Sequence, residues 1–260
     1  MIRPLTVLFF FMSIVRGYGG VIVLEGSYQG KNLYVQNPFS GTGAGYCITE
    51  VQVNEELMTE EIQSSAFEID FSALNMKQGD KLVIRITHKD QCKPRILNEN
   101  DIKPASTFEV TSFRIDENKI RFTTQKESGP LPFVVEQYRW NKWVRVTDVF
   151  GKGSEGTNEY EVAVVHHSGL NKYRLKQVGS SGTPRYSAPV DYTSSASAIA
   201  FTPVKASKDL TFTAETMYEI IDSYGNVIRT GAGRQVDVSF LSKGNYYLNY
   251  DNKTDSFVKK

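Results

Sequence analysis

Phe133–Val149 reads FVVEQYRWNKWVRVTDV, two alternating runs around a short polar break. Valine, tyrosine and tryptophan suit a pleated, half-buried surface, and period-two alternation sorts them onto two faces. A two-residue turn at Asn141-Lys142 predicts a hairpin with Trp140 opposite Trp143. On that register Tyr138, Trp140 and Trp143 share one face, while Phe133, Val135, Val144 and Val146 share the other. The aliphatic face is the candidate core. The aromatic face is either a platform for sugar stacking or protein contact, or a surface packed on a neighbouring domain or tucked under loops.

Similar short runs extend in both directions. From Thr107 to Thr193 about seven strand candidates alternate with turn signals such as Asn118, Gly129-Pro130, Gly151–Gly156 and Gly179–Gly182, a spacing that predicts a fibronectin-III-like sandwich. Before it, residues 20–106 hold GVIVLEG, NLYVQNP, CITEVQVN, SAFEIDF and DKLVIRITHKD. In the last run Leu82, Ile84 and Ile86 take one face and Val83, Arg85 and Thr87 the other. The acidic stretch Asn54–Phe67 is either one or two helical turns or a solvated loop, and Leu97–Pro104 is a polar turn region closing the domain. After the fibronectin-like segment, Ser194–Ala198 (SSASA) reads as a polar linker. Residues 199–260 alternate again, with turns at Asp222–Gly225 and Lys243-Gly244. The expected architecture is all-β: tandem sandwiches over 20–106, 107–193 and 199–260, joined by the 194–198 linker.

Composition agrees with that class. The 260 residues are 40% hydrophobic, with 14 Tyr, 15 Phe and 20 Gly, and a formal net charge of +1 provides no field to steer the chain to nucleic acid. At the N-terminus Arg3 precedes the apolar run Leu5–Val15, and small residues follow at Gly17 and Gly19. Residues 1–19 therefore read as a signal peptide cleaved before Gly20 or Val21, the alternative being an uncleaved anchor. An exported chain is permitted a disulfide, so Cys47 and Cys92 are either bridged or two buried thiols.

Chemical constellations are sparse. His88, Asp90 and Cys92 share one strand face, but three histidines and two cysteines in the whole chain are a poor stock for zinc. His166 and His167 are adjacent, which on a strand sends them to opposite faces. No nucleophile elbow or phosphate loop occurs. No catalytic, cofactor-binding or metal-binding residues are expected, and the chain reads as a non-enzyme without cofactors.

In the last segment, MYEIIDSYGNVIRTG followed by VDVSFLSKGNYYLNYDNKTDSFVKK resembles the C-terminal sorting domain of the type IX secretion system of Bacteroidota. The matching positions are Asp222 and Gly225 at a turn, then Leu241, Gly244 and Tyr246, then Phe257, Lys259 and Lys260. Where that family opens with a Pro-Asn-Pro-like stretch, this chain has Thr202-Pro203-Val204. NKYRLKQVGSSGTPRYS resembles the fibronectin-III-like module that often precedes such domains, and GYGGVIVLEG with KNLYVQNPF resembles the start of the PorA-like components of that machinery. The resemblance implies passage through the periplasm to the outer membrane or cell surface. It also implies protein contacts with the type IX translocon or outer-membrane carriers, in secretion or envelope signalling. The other expectation is a type IX cargo acting as a surface adhesin or carbohydrate-binding protein, with a surface polysaccharide as partner. Lys259 and Lys260 either complement an acidic carrier or merely solvate an edge strand.

Overall fold

A computed structural model describes residues 19–41, 45–58 and 61–260. The signal-peptide reading of residues 1–19 lies outside them except for Gly19. The chain is all-β. Among the described residues its only helical pieces are two 3₁₀ turns, Ser72–Leu74 and Glu99–Ile102, and no helix is long and apolar enough to cross a membrane.

The chain divides into two compact units. The first comprises residues up to Gly26, Gly30–Met76 and Lys81–Ile102. Its strands are β1 (Gly20–Ser27), β2 (Leu33–Gln36), β3 (Ile48–Val53), β4 (Glu56–Leu57), β5 (Ala66–Ile69), β6 (Lys81–His88) and β7 (Arg95–Ile96). They form a four-stranded sheet in the order β1-β6-β3-β4 and a three-stranded sheet β5-β2-β7. Leu82, Ile84 and Ile86 are fully buried on one face of β6, with Leu33, Val35, Ile48 and Ile69 also in the interior. Removing such side chains from water contributes about 1.5–3 kcal/mol each. The acidic stretch after β3 is not helical in its described part. Asn54 and Glu55 both take positive φ, +49° and +72°, and return the chain at once into β4.

The second unit comprises Ser27–Gln29, Lys77–Asp80 and Lys103–Lys260, and it holds two hydrophobic clusters. Around the first lie β8 (Glu109–Ile115), β9 (Lys119–Gln125), β10 (Pro132–Arg139), β11 (Lys142–Phe150), β12 (Asn158–Ala163), β13 (Gly169–Val178), β14 (Pro184–Tyr186) and β15 (Val190–Ser194). The sheet β12-β9-β8 faces the sheet β11-β10-β13, whose last strand pairs with both β14 and β15. The run RYSAPVDYT is thus two strands, split at Pro189, which has no N–H to give a ladder. Phe122, Phe133, Val135, Tyr173 and Leu175 fill the space between the sheets.

The hairpin in this module turns one residue earlier than its sequence suggests. Trp140 and Asn141 occupy the turn with φ of +54° and +60°. Tyr138 therefore pairs with Trp143 and Arg139 with Lys142. A bulge between Val135 and Glu136 shifts the register further up.

The second cluster is enclosed by β16 (Phe201–Thr202), β17 (Lys205–Ala206), β18 (Asp209–Ile221), β19 (Val227–Asp237), β20 (Gly244–Tyr250) and β21 (Lys253–Lys259). The order is β16-β18-β20-β21-β17, with β19 on β18. An irregularity between Thr211 and Thr216 interrupts β18, and both halves contribute to one core: Leu210 and Phe212, then Tyr218 and Ile220. β21 is not an edge. It pairs antiparallel with β20 and parallel with β17, where Ala206 lies opposite Lys259.

Candidate functional site

The residues matched to the sorting domain divide between a turn and a core. Asp222 accepts hydrogen bonds from the backbone of Tyr224 (2.9 Å) and Asn226 (2.8 Å) and from the Asn226 amide (3.0 Å). These donors, that of the Asn226 side chain foremost, hold its carboxyl below the usual range. Gly225 follows at φ +89°, a conformation that a side chain would strain. Leu241 and Phe257 are buried, and Tyr246 stacks on Phe257 with ring centroids 5.6 Å apart while donating to Ser242 O. Gly244 opens β20 at φ +154°. Lys259 is buried along its side chain, with Nζ donating to Lys260 O at 2.9 Å, so it does not solvate an edge. Lys260 is exposed, its backbone N–H held by Ala206 O.

The structure separates the three aromatic residues of the central hairpin. Tyr138 and Trp143 meet edge to face at 5.3 Å. Arg174 lies over Trp143 at 4.1 Å and over Tyr186 at 3.9 Å, and its Nε donates to Glu136 at 2.7 Å. One face of Trp143 is thus covered by a guanidinium rather than open to a sugar. Trp140, out in the turn, points its indole Nε1–H at Tyr250 O (3.4 Å) in the C-terminal module. Tyr138 and Trp140 still meet at a groove of about 460 Å³ bordered by Leu170, Lys172 and Lys253.

The two modules of the second unit are joined by a polar network. Lys142 Nζ contacts both oxygens of Glu219 at 2.9 and 2.8 Å, and Asn249 Nδ2 donates to the same carboxylate at 2.9 Å. Asp251, 2% exposed, accepts from Ser168 N (2.7 Å), Ser168 Oγ (2.6 Å) and Ile199 N (3.1 Å). Its own N–H donates to Thr216 Oγ1 at 3.0 Å. Burial pushes the Asp251 carboxyl up, but the donors of Ser168 and Ile199 together outweigh it and leave the group below the ordinary range. No local sequence signal marked Asp251, because its partners lie 83 and 52 residues away.

His166 and His167 lie in an irregular segment, residues 164–167, and not on a strand. His166 Nδ1 lies 2.8 Å from Tyr173 Oη and its Nε2 2.8 Å from Asp116 O. His167 is buried, with Nδ1 2.8 Å from Ser168 O, and burial lowers its pKa. In the first unit Cys47 and Cys92 form a disulfide with their Cα atoms 5.9 Å apart. The His88 ring sits beside it, close enough that the three side chains' ligand atoms lie within 4.8 Å. Its Nδ1 is 2.9 Å from Lys89 O, and Asp90 is exposed.

No family model matches this chain, and neither does any curated protein. Solved structures similar to it include the BSP domain of a biofilm associated protein, at 10% identity and TM-score 0.24. The match covers 93% of this chain but only 63% of that domain. A tetra-tandem repeat from the extending region of a large adhesion protein is 13% identical with TM-score 0.30, over 93% of this chain and 72% of the repeat. The fibronectin(III)-like modules of Clostridium thermocellum CbhA are 15% identical with TM-score 0.22, over 59% of this chain and 94% of theirs. These likenesses are loose, and the architecture described above rests on the chain's own strands.

Proposed function

We propose that the chain is an exported, non-enzymatic β-sandwich protein that acts at the cell surface by contact, as an adhesin-type or carbohydrate-binding protein. In this reading residues 199–260 are the type IX sorting domain that their resemblance implies. The disulfide supports export, because such bonds persist in oxidising compartments. The observation that carries the contact role is the groove at Tyr138 and Trp140. Two ring systems at a concavity flanked by Lys172 and Lys253, whose ion pairs with Asp191 (3.8 Å) and Asp255 (3.7 Å) are long and exposed, suit an acidic polysaccharide, with stacking on the rings and charge pairing at the rim. The test is binding of the full chain to purified acidic and neutral polysaccharides. Tyr138→Ala and Lys172→Glu should each weaken the acidic one at least fivefold, on the order of 1 kcal/mol per contact. Equal binding by both variants would remove the groove from the account. Deleting residues 199–260 should leave the protein in the periplasm, and unchanged surface labelling of that truncation would remove the sorting role.

One observation favours a second reading, a resident component of the secretion machinery in contact with its translocon or outer-membrane carriers. The C-terminal module is bound to its neighbour through Asp251, Glu219 and Trp140, which suits a part that is kept rather than cut away. The intact mass of the surface form separates the two. Loss of the C-terminal module supports cargo, and its retention supports the resident component.

A further inference from the structure

Three strands of the C-terminal module set a glutamate, an asparagine and a threonine side by side. Glu219 on β18 pairs with Asn249 on β20, and Asn249 pairs with Thr254 on β21. Directly opposed residues on neighbouring strands share a face, so register brings the three side chains together. Glu219 and Asn249 are 8% and 5% exposed. Lys142, the first residue of β11 in the preceding module, reaches the same point. Its Nζ lies 2.9 and 2.8 Å from the two Glu219 oxygens, and Asn249 Nδ2 donates to Glu219 Oε2 at 2.9 Å. The amine and the carboxamide nitrogen therefore meet at one carboxylate oxygen. The Trp140 ring lies alongside, its centroid 6.0 Å from Nζ.

The other end of the Asn249 amide is held too. Its Oδ1 accepts from Thr254 Oγ1 at 2.6 Å. A hydroxyl donor on a carbonyl oxygen polarises the carbon and stabilises the oxyanion that forms when a nucleophile adds. A lysine amine is such a nucleophile once it has lost its proton. A carboxylate that touches both nitrogens can take that proton and return one to the leaving nitrogen. An ion pair between modules needs only Lys142 and Glu219. It does not call for a carboxamide whose oxygen is held by a hydroxyl and whose nitrogen is held by the same carboxylate.

We propose that Lys142 and Asn249 join in an isopeptide bond, with Glu219 as general acid and base. Lys142 Nζ passes a proton to Glu219 and, as the free amine, moves on its flexible stem from the shared oxygen to Asn249 Cγ. The Nζ–Cγ bond forms, and the carbonyl electron pair moves to Oδ1 beside Thr254 Oγ1. Glu219 gives its proton to Nδ2 and takes one from Nζ as the Cγ–Nδ2 bond breaks. One ammonia leaves. Nothing is oxidised or reduced, and no co-reactant is needed. The bond ties the fibronectin-like module to the C-terminal module independently of residues 194–198.

The experiment is mass spectrometry of the full chain, denatured and reduced, both intact and after trypsin. The unsubstituted chain should weigh one ammonia, about 17 Da, less than its sequence requires. Trypsin should release a branched peptide joining residues 140–145, uncut at Lys142, to residues 244–253. Lys142→Arg keeps a cation on Glu219 but lacks the amine, and should restore the full mass. Glu219→Gln should do the same with Lys142 still present. Thr254→Val should slow closure about a hundredfold, leaving chain of full mass after purification. The peptide map of the unsubstituted chain decides the matter even if a variant fails to fold. Separate, unmodified peptides carrying Lys142 and Asn249 would overturn the proposal. So would an ammonia loss located at any other residue, or a branched peptide that persists in Glu219→Gln.

Discussion

Replacing Asp251 by alanine tests the junction of the second unit at a single side chain. The change removes the acceptor for two backbone N–H groups, those of Ser168 and Ile199, and for the Ser168 hydroxyl. The hydroxyl can rotate to another partner, but the backbone donors cannot. Each stranded donor costs about 1–3 kcal/mol, and water entering the vacated space recovers part of that. The expected loss is about 3 kcal/mol, or a fall in Tm on the order of 6–12 °C for a unit of this size. Ser168→Ala removes only the hydroxyl donor and should cost about 1 kcal/mol. Both tryptophans of the chain, Trp140 and Trp143, lie in this unit, so fluorescence excited at the indole band follows its urea unfolding without contribution from the first unit. The acid limb supplies a second readout. The folded carboxyl titrates below its unfolded value, so its contribution is complete above about pH 4 and is lost as pH falls through the folded pKa. Asp251→Ala should therefore lack that part of the acid destabilisation. A loss below about 0.5 kcal/mol, the size of an ordinary surface substitution, would refute the reasoning.

Further outcomes follow from the same geometry. Cys47→Ser with Cys92→Ser should destabilise the first unit by about 3–4 kcal/mol in the chain-entropy model, read as protease resistance of that unit with and without reductant. Phe257→Ala, in the C-terminal core, should cost about 3–5 kcal/mol by tryptophan-detected unfolding, with Lys260→Ala close to neutral. His167 is held neutral by burial, so the unfolded chain binds more protons than the folded one as pH drops below about 6.5. Stability of the second unit should decline over that range, and His167→Gln should flatten the decline; an identical slope would exclude His167 as its source.

Local alternation was enough to read the strands but not their long-range consequences. Leu82, Ile84 and Ile86 fall on one face because a half-buried strand enforces a two-residue period. The central hairpin escaped that logic. Tryptophan is an uncommon occupant of a left-handed turn position, so Asn141-Lys142 looks the better turn, while the chain turns at Trp140-Asn141. One residue of register sends Trp140 to the C-terminal module and Arg139 into the interior. Arg139 and Asp251 are both buried. Their burial depends on a module folded from residues far along the chain, and no nearby pattern encodes it.

The segment Ser194–Ala198 joins two modules that also exchange hydrogen bonds. Small polar residues indicate a chain that could be flexible, but flexibility between modules is set by what their surfaces exchange. Here Ile199, the residue after the segment, gives its N–H to Asp251, and Ser168 of the preceding module gives two donors to the same carboxylate. A single buried anion thus holds the end of the linker, the fibronectin-like module and the turn between β20 and β21. Undocking would take the Ser168 donors from Asp251 and Lys142 from Glu219. The tryptophan turn and the ion pair of Lys142 with Glu219 belong to this same seam. This polar seam joins the module carrying the export resemblance to the module carrying the aromatic groove within one compact unit.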